Sequence, residues 1–139
     1  MDNKNILFLS TSNDLSIMAA GWASKLDDPS LNFVSASFIE SSENELLIEA
    51  MKEVNIDITD KELKLVAPHL ITKADLIVNI YDFKHDREPD LSLAPKKKVL
   101  RWDIPNPEHY DDSTEKWAAY QIVCDELAEH VKNLTNELN

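Results

Sequence analysis

The chain has 139 residues, 26 acidic against 14 basic, for a formal net charge of −12, and 43% of it is hydrophobic. That length suits one domain over residues 1–139, able to bury roughly 70% of its unfolded surface. The acid excess speaks against nucleic acid or an anionic membrane as partner, and the lone Cys124 excludes a disulfide framework or an internal dithiol relay.

Asn5 to Ser10 is a short continuous apolar run, the pattern of a parallel strand buried on both faces. Its core, Ile6 to Leu9, is too short for a signal peptide or a membrane span, so a soluble, cytoplasmic protein is expected. Leu15 to Leu26 follows, with Leu15, Met18, Ala19, Trp22, Ala23 and Leu26 at helical spacing, and Asp27 to Ser30 breaks it. Leu31 to Phe38 reads as a second strand. Glu43 to Val54 reads as a second helix, apolar on Leu46, Leu47, Ala50, Met51 and Val54. Thr59 or Asp60 is placed to cap a shorter helix through Leu70, its end distorted by Pro68.

Asp75 to Ile80 is a third buried strand, and Asp82 to Lys98 a long surface loop rich in charge and proline. Lys98 to Trp102 is a fourth strand. Ser113 to Leu138 closes the chain as an amphipathic helix with Trp117, Tyr120, Gln121, Cys124, Leu127, Ala128, Val131 and Leu138 on one face. The order β-α-β-α-α-β-β-α predicts a three-layer α/β/α sandwich around a four-stranded parallel sheet. In such folds ligands sit beyond the carboxyl ends of the strands. That directs attention to Ser10–Ser16, Tyr81–Phe83 and Asp103–Pro107.

The first of these segments, Phe8-Leu9-Ser10-Thr11-Ser12-Asn13 followed by Met18-Ala19-Ala20-Gly21-Trp22, resembles the start of the thioredoxin-coupled arsenate reductases, which share the low-molecular-weight protein tyrosine phosphatase fold. The likeness continues through Val34-Ser35-Ala36, Ala50 to Asp57, Lys73 to Val78, Trp102 to Pro107, and Glu115 to Ala118 with Gln121 and Asp125-Glu126. It implies attack by a loop thiolate on phosphate or arsenate, an arginine clamp six positions later and an acid in the downstream loop. In the reductases two further cysteines carry oxidising equivalents away.

Set against that pattern, Ser10 stands at the nucleophile position and Asn106 at the acid position. The loop Ser10, Thr11, Ser12, Asn13, Asp14, Leu15, Ser16 holds no arginine and is one residue shorter. Ser12 replaces a glycine, Asn13 matches a bracing asparagine, and Asn13 or Asp14 is expected to cap the following helix. An oxyanion about 4 Å from Asp14 meets about 4 kcal/mol of repulsion at an effective dielectric near 20, so phosphate or arsenate binding is expected to be weak or absent.

These departures predict a catalytically silent homologue kept as a binding or regulatory module, with the balance leaning against an enzyme. The enzyme alternative is a divergent phosphatase or arsenate reductase with Ser10 as nucleophile, Arg101 as surrogate clamp and Asp103 as acid. A sugar-transport phosphocarrier, with a related strand-loop-helix start, fits less well because it too uses a loop cysteine.

Tyr81, Phe83, Trp102 and Tyr110 are candidates for an aromatic rim that meets a protein partner or a small apolar ligand, with ordinary packing as the alternative. His69, His85, His109 and His130 lack ligand spacing, so neither a metal nor a cofactor is expected. Cys124 reads as a core residue, and Lys96-Lys97-Lys98 as a solvated edge or a docking patch for an acidic partner.

Overall fold

The computed structural model describes residues 4–26, 28–40, 44–59, 64–88 and 98–137, without the side chains of residue 13 and residues 135–137. Four strands, β1 (Lys4–Ser10), β2 (Leu31–Ser37), β3 (Leu76–Tyr81) and β4 (Lys98–Asp103), form an all-parallel sheet in the order β2-β1-β3-β4. The continuous apolar run of β1 is explained by its central place, because Ile6 to Ser10 are buried with helices on both faces. Alternation of side chains sends Ile6 and Phe8 to one face and Leu7 and Leu9 to the other.

On the first face lie α1 (Asn13–Ala23), α2 (Glu45–Lys52) and α4 (Ser113–Glu137). There Phe8 stacks at 5.9 Å on Phe33 and lies 6.0 Å from Trp102, while Met18, Met51, Tyr120 and Leu127 fill the space between helices. On the second face, among the described residues, the short helix α3 (Pro68–Lys73) covers Leu7, Leu9, Ala36 and Ile77 with Ile71. This is the expected three-layer sandwich with one thin layer.

Three local expectations are corrected. Pro68 does not distort a helix end but opens α3 at its first position, where a missing N–H costs nothing. Thr59 is not the expected helix cap, since its N–H and hydroxyl both donate to Asp57, and the expectation at Asp60 falls in residues 60–63, outside the described residues. The first helix ends at Ala23 and tightens into a 3-10 turn over Ser24–Leu26.

Asn44 caps α2 by accepting from the Leu47 N–H at 3.2 Å. Past its end Asn55 takes the left-handed conformation (φ 62°), as helix ends favour, while the Ile56 N–H bonds back to the Met51 carbonyl at 2.9 Å. Beyond β2 the chain returns as an extended stretch. Ser37 donates to the Lys64 carbonyl at 2.9 Å and accepts from the Val66 N–H at 2.8 Å, forming an isolated bridge to Leu65.

Gly21 explains how α1 and α2 approach so closely. A Cβ there would lie 3.0 Å from the Met51 methyl and 3.1 Å from an Ile56 methyl. Gly21→Val is therefore expected to cost about 1–3 kcal/mol through overpacking, measured as a lower urea midpoint.

Candidate active site

β1 delivers Ser10 to the carboxyl edge of the sheet, between Ser37 and Ile80, and the chain passes through Thr11 and Ser12 directly into α1. The loop is pinned to the extension of β2, since the Phe38 and Ile39 N–H groups donate to the Thr11 carbonyl at 3.2 and 3.0 Å. Ser12 has φ −108°, an extended conformation open to any residue, so the turn needs no glycine at that position. Ser12 is also the N-cap residue, without a side-chain cap bond, which corrects the expectation that Asn13 or Asp14 fills that role. Asn13 begins α1, and its expected bracing side chain lies outside the described residues.

The Ser10 side chain is only 1% exposed and is held by three contacts. Its Oγ accepts from the Ser16 N–H at 3.1 Å, lies 2.9 Å from the Ser16 Oγ, and closely contacts the Ser12 carbonyl. The Ser16 N–H is the fixed donor to Ser10, and the Ser10 hydroxyl is placed to donate to the Ser12 carbonyl or to the Ser16 hydroxyl. The backbone N–H of Ser16, donating to Ser10 Oγ, favours developing negative charge on that oxygen.

Above it opens a cavity of about 640 Å³ lined by Thr11, Ser12, Asp14, Asn44, Asn106, Glu108 and Lys116, among others. Ser10 is buried and is not among the residues that line it. Leu15 and Ser16 are turned into the core behind the loop.

Asp14, in the first turn of α1, is buried. Its Oδ2 accepts from Ser12 Oγ at 3.2 Å and lies 3.3 Å from Tyr120 Oη, and its Oδ1 is 3.4 Å from Asn44 Nδ2. Burial, then the nearby Glu108 carboxylate, pushes its carboxyl above the usual range against these hydrogen bonds. A raised folded-state value means that ionised Asp14 weakens the fold above its unfolded value, and that the penalty vanishes below it. Asp14→Asn should therefore raise the urea midpoint at pH 7.5 and lose that advantage by pH 4, as paired denaturation curves would show.

Asn106 reaches the cavity, but its side chain accepts from the Glu108 N–H at 3.0 Å and caps a 3-10 turn over Pro107–His109. Arg101 and Asp103 are not brought to the loop. Arg101 shares the α3 side of the sheet with Val99 and is paired with Glu88. Asp103 accepts from the Phe83 N–H at 3.0 Å and so fastens β4 to the turn after β3.

Tyr81 and Phe83 lie 4.5 Å apart with their rings tilted at 37°, and Tyr110 is exposed, but Trp102 belongs to the core between Phe8 and His130. Cys124 is buried with its Sγ 3.7 Å from Met51 Sδ, and burial raises its thiol. Among the described residues no three metal-ligating side chains come together, and no helix is long and apolar enough to cross a membrane. Lys98 begins β4, whereas Lys96 and Lys97 lie outside the described residues.

The sequence reading missed Asn44, Glu108, Lys116 and Tyr120 as site residues. Tyr120 stood in the apolar stripe of the last helix, and nothing local to it signals a contact with Asp14 on the first helix.

No family model matches the chain. Among curated proteins, an arsenate reductase of Staphylococcus xylosus is 33% identical over 96% of this chain and 97% of its own length. One from Bacillus subtilis is 33% identical over 95% of each. The chain belongs to the arsenate reductase family. An arsenate reductase solved in the phosphate binding state shares the family fold with a TM-score of 0.82 at 19% identity, covering 98% of this chain and 99% of that one. An arginine phosphatase from Geobacillus stearothermophilus has the same fold, with a TM-score of 0.77 at 22% identity over 97% of this chain and 92% of its own. Family membership over nearly the whole chain, with relatives named as enzymes, overturns the expectation of a catalytically silent binding or regulatory module. The reading of a divergent enzyme acting through Ser10 fits it better.

Proposed function

We propose that this chain is a divergent enzyme of the arsenate reductase family that uses Ser10 as its nucleophile on a tetrahedral oxyanion, a phosphate monoester or arsenate. The observation that carries this reading is the hydrogen bond from the Ser16 N–H to Ser10 Oγ, with the Ser16 hydroxyl 2.9 Å away, at the point where β1 enters α1. The positive end of α1 favours an anion beside Ser10 by about 1 kcal/mol.

Attack requires the Ser12 carbonyl to turn away from Ser10. The Oγ–P bond then forms as the ester P–O bond breaks, and the hydroxyl proton passes to a phosphoryl oxygen of the substrate. Water reverses the step on the phosphoserine and releases phosphate. Reducing arsenate takes two electrons, and the only thiol, Cys124, is buried. That activity therefore draws on a dithiol of a second protein, while ester formation and hydrolysis fall to this chain.

With no arginine in the loop, ground-state binding should be weak and KM in the millimolar range. Hydrolysis of p-nitrophenyl phosphate by the wild type is expected to fall at least about 100-fold in Ser10→Ala, and a phosphoserine at residue 10 is expected in quenched turnover samples. Equal rates in the two proteins would sink the reading.

A further inference from the structure

Among the described residues, four carboxyl groups, those of Asp14, Glu40, Glu45 and Glu108, line the cavity against one ammonium, that of Lys116, which lies 3.6 Å from Glu108 Oε1. Two of them meet at one point. Tyr120 Oη closely contacts Glu108 Oε2, lies 3.3 Å from Asp14 Oδ2, and is 2.6 Å from Asn44 Nδ2. Asn44 is fixed in orientation, because its carbonyl oxygen accepts from the Leu47 N–H, so its amide nitrogen faces the cluster.

Counting hydrogens decides the rest. Three contacts converge on the phenol oxygen. The asparagine fills one and the phenolic proton a second, towards one carboxylate. The third joins two oxygens with no hydrogen of their own unless one carboxyl is protonated. Burial of Asp14 and the like charge of Glu108 favour that same proton.

We propose that Asp14 and Glu108 share one proton through Tyr120, and that this pair donates it to the leaving oxygen in the Ser10 reaction. This rests on the Ser10 reading. It supplies the acid that Asn106, on the same cavity wall, does not. The leaving oxygen gains the proton as its bond to phosphorus breaks, and the pair regains one from the water that attacks the phosphoserine. The charged groups facing the pair are Glu45 from α2, Glu40 from the loop after β2, and Lys116 from α4.

The test compares phenyl phosphate, whose leaving oxygen needs a proton, with 2,4-dinitrophenyl phosphate, whose leaving oxygen does not. Asp14→Asn and Glu108→Gln are expected to slow the first about 100-fold and the second less than about fivefold, with KM little changed and the alkaline limb of the kcat profile lost. Equal slowing of both substrates, with hydrolysis still dependent on Ser10, overturns the proton role and leaves the nucleophile standing. Wild-type rates equal to Ser10→Ala overturn the nucleophile and the delivery step with it. The shared proton has its own readout in isotope-edited infrared spectra at pH 7. A protonated carboxyl band is expected in the wild type and absent from both variants, and its absence from the wild type overturns the sharing.

Discussion

Phe8→Ala is expected to lose about 3–5 kcal/mol of folding stability, a fifth or more of the roughly 5–15 kcal/mol that holds a domain together. Phe8 is fully buried at the middle of the central strand, and it is the ring against which both Phe33 and Trp102 lie. Truncation removes the transfer energy of the ring and leaves a cavity walled by parallel strands that cannot close in without breaking their register. The lost stability should appear as a large fall in urea midpoint with an unchanged slope. Because Phe8 precedes Ser10 by two residues on the same face of the strand, any activity that survives should show more weakening in kcat than in KM.

Asp82→Ala should have the second largest effect, about 3 kcal/mol at neutral pH. Asp82 is buried just past β3. Its carboxylate takes the Lys84, His85 and Asn106 N–H groups at 3.0, 3.2 and 3.1 Å and pairs with His85 Nδ1 at 2.9 Å. Hydrogen bonds to a charged acceptor contribute about 1.5–3 kcal/mol each when lost singly, and water recovers part of that here. Burial pulls this carboxyl upward, but the bonds from Asn106, His85 and Lys84 outweigh it and hold it below the usual range. A depressed folded-state value means that the contribution is complete above the unfolded value near 4 and is lost as pH falls through the folded one. The gap in stability between wild type and variant should therefore narrow as pH falls below about 4. Since Asn106 lines the cavity, the same substitution should loosen its rim and slow turnover.

The elements legible in the sequence are those whose burial is one-sided or complete. β1 announces itself as an unbroken apolar run and β3 as one interrupted only by Asn79, because helices cover both faces of the sheet, and α4 does so by its stripe. The candidate site loop is legible for the same reason, since it follows a strand buried over Ile6 to Ser10. What stayed hidden depends on long-range pairing. Tyr120 meets Asp14 across 106 positions, and Asn44 joins both from a third element. A polar tip on an otherwise apolar side chain gives no periodic signal. Arg101 looked available because its strand ends near the site, but alternation puts it on the opposite face of the sheet with Glu88 as its partner. Pro68 was misread because proline ends helices and begins them equally well, and only the path of the chain tells which.

The bridge between Ser37 and Leu65 bears on how the molecule behaves in a crowded solution. β2 is an outer strand of the sheet, and an outer strand with bare N–H and C=O groups recruits strands from other molecules. Here the returning chain occupies the N–H and carbonyl of Ser37 at the end of that edge. A short stretch of the protein's own backbone thus stands where a neighbouring copy would otherwise add on, and self-assembly into fibrils is blocked at the end of the strand nearest the site.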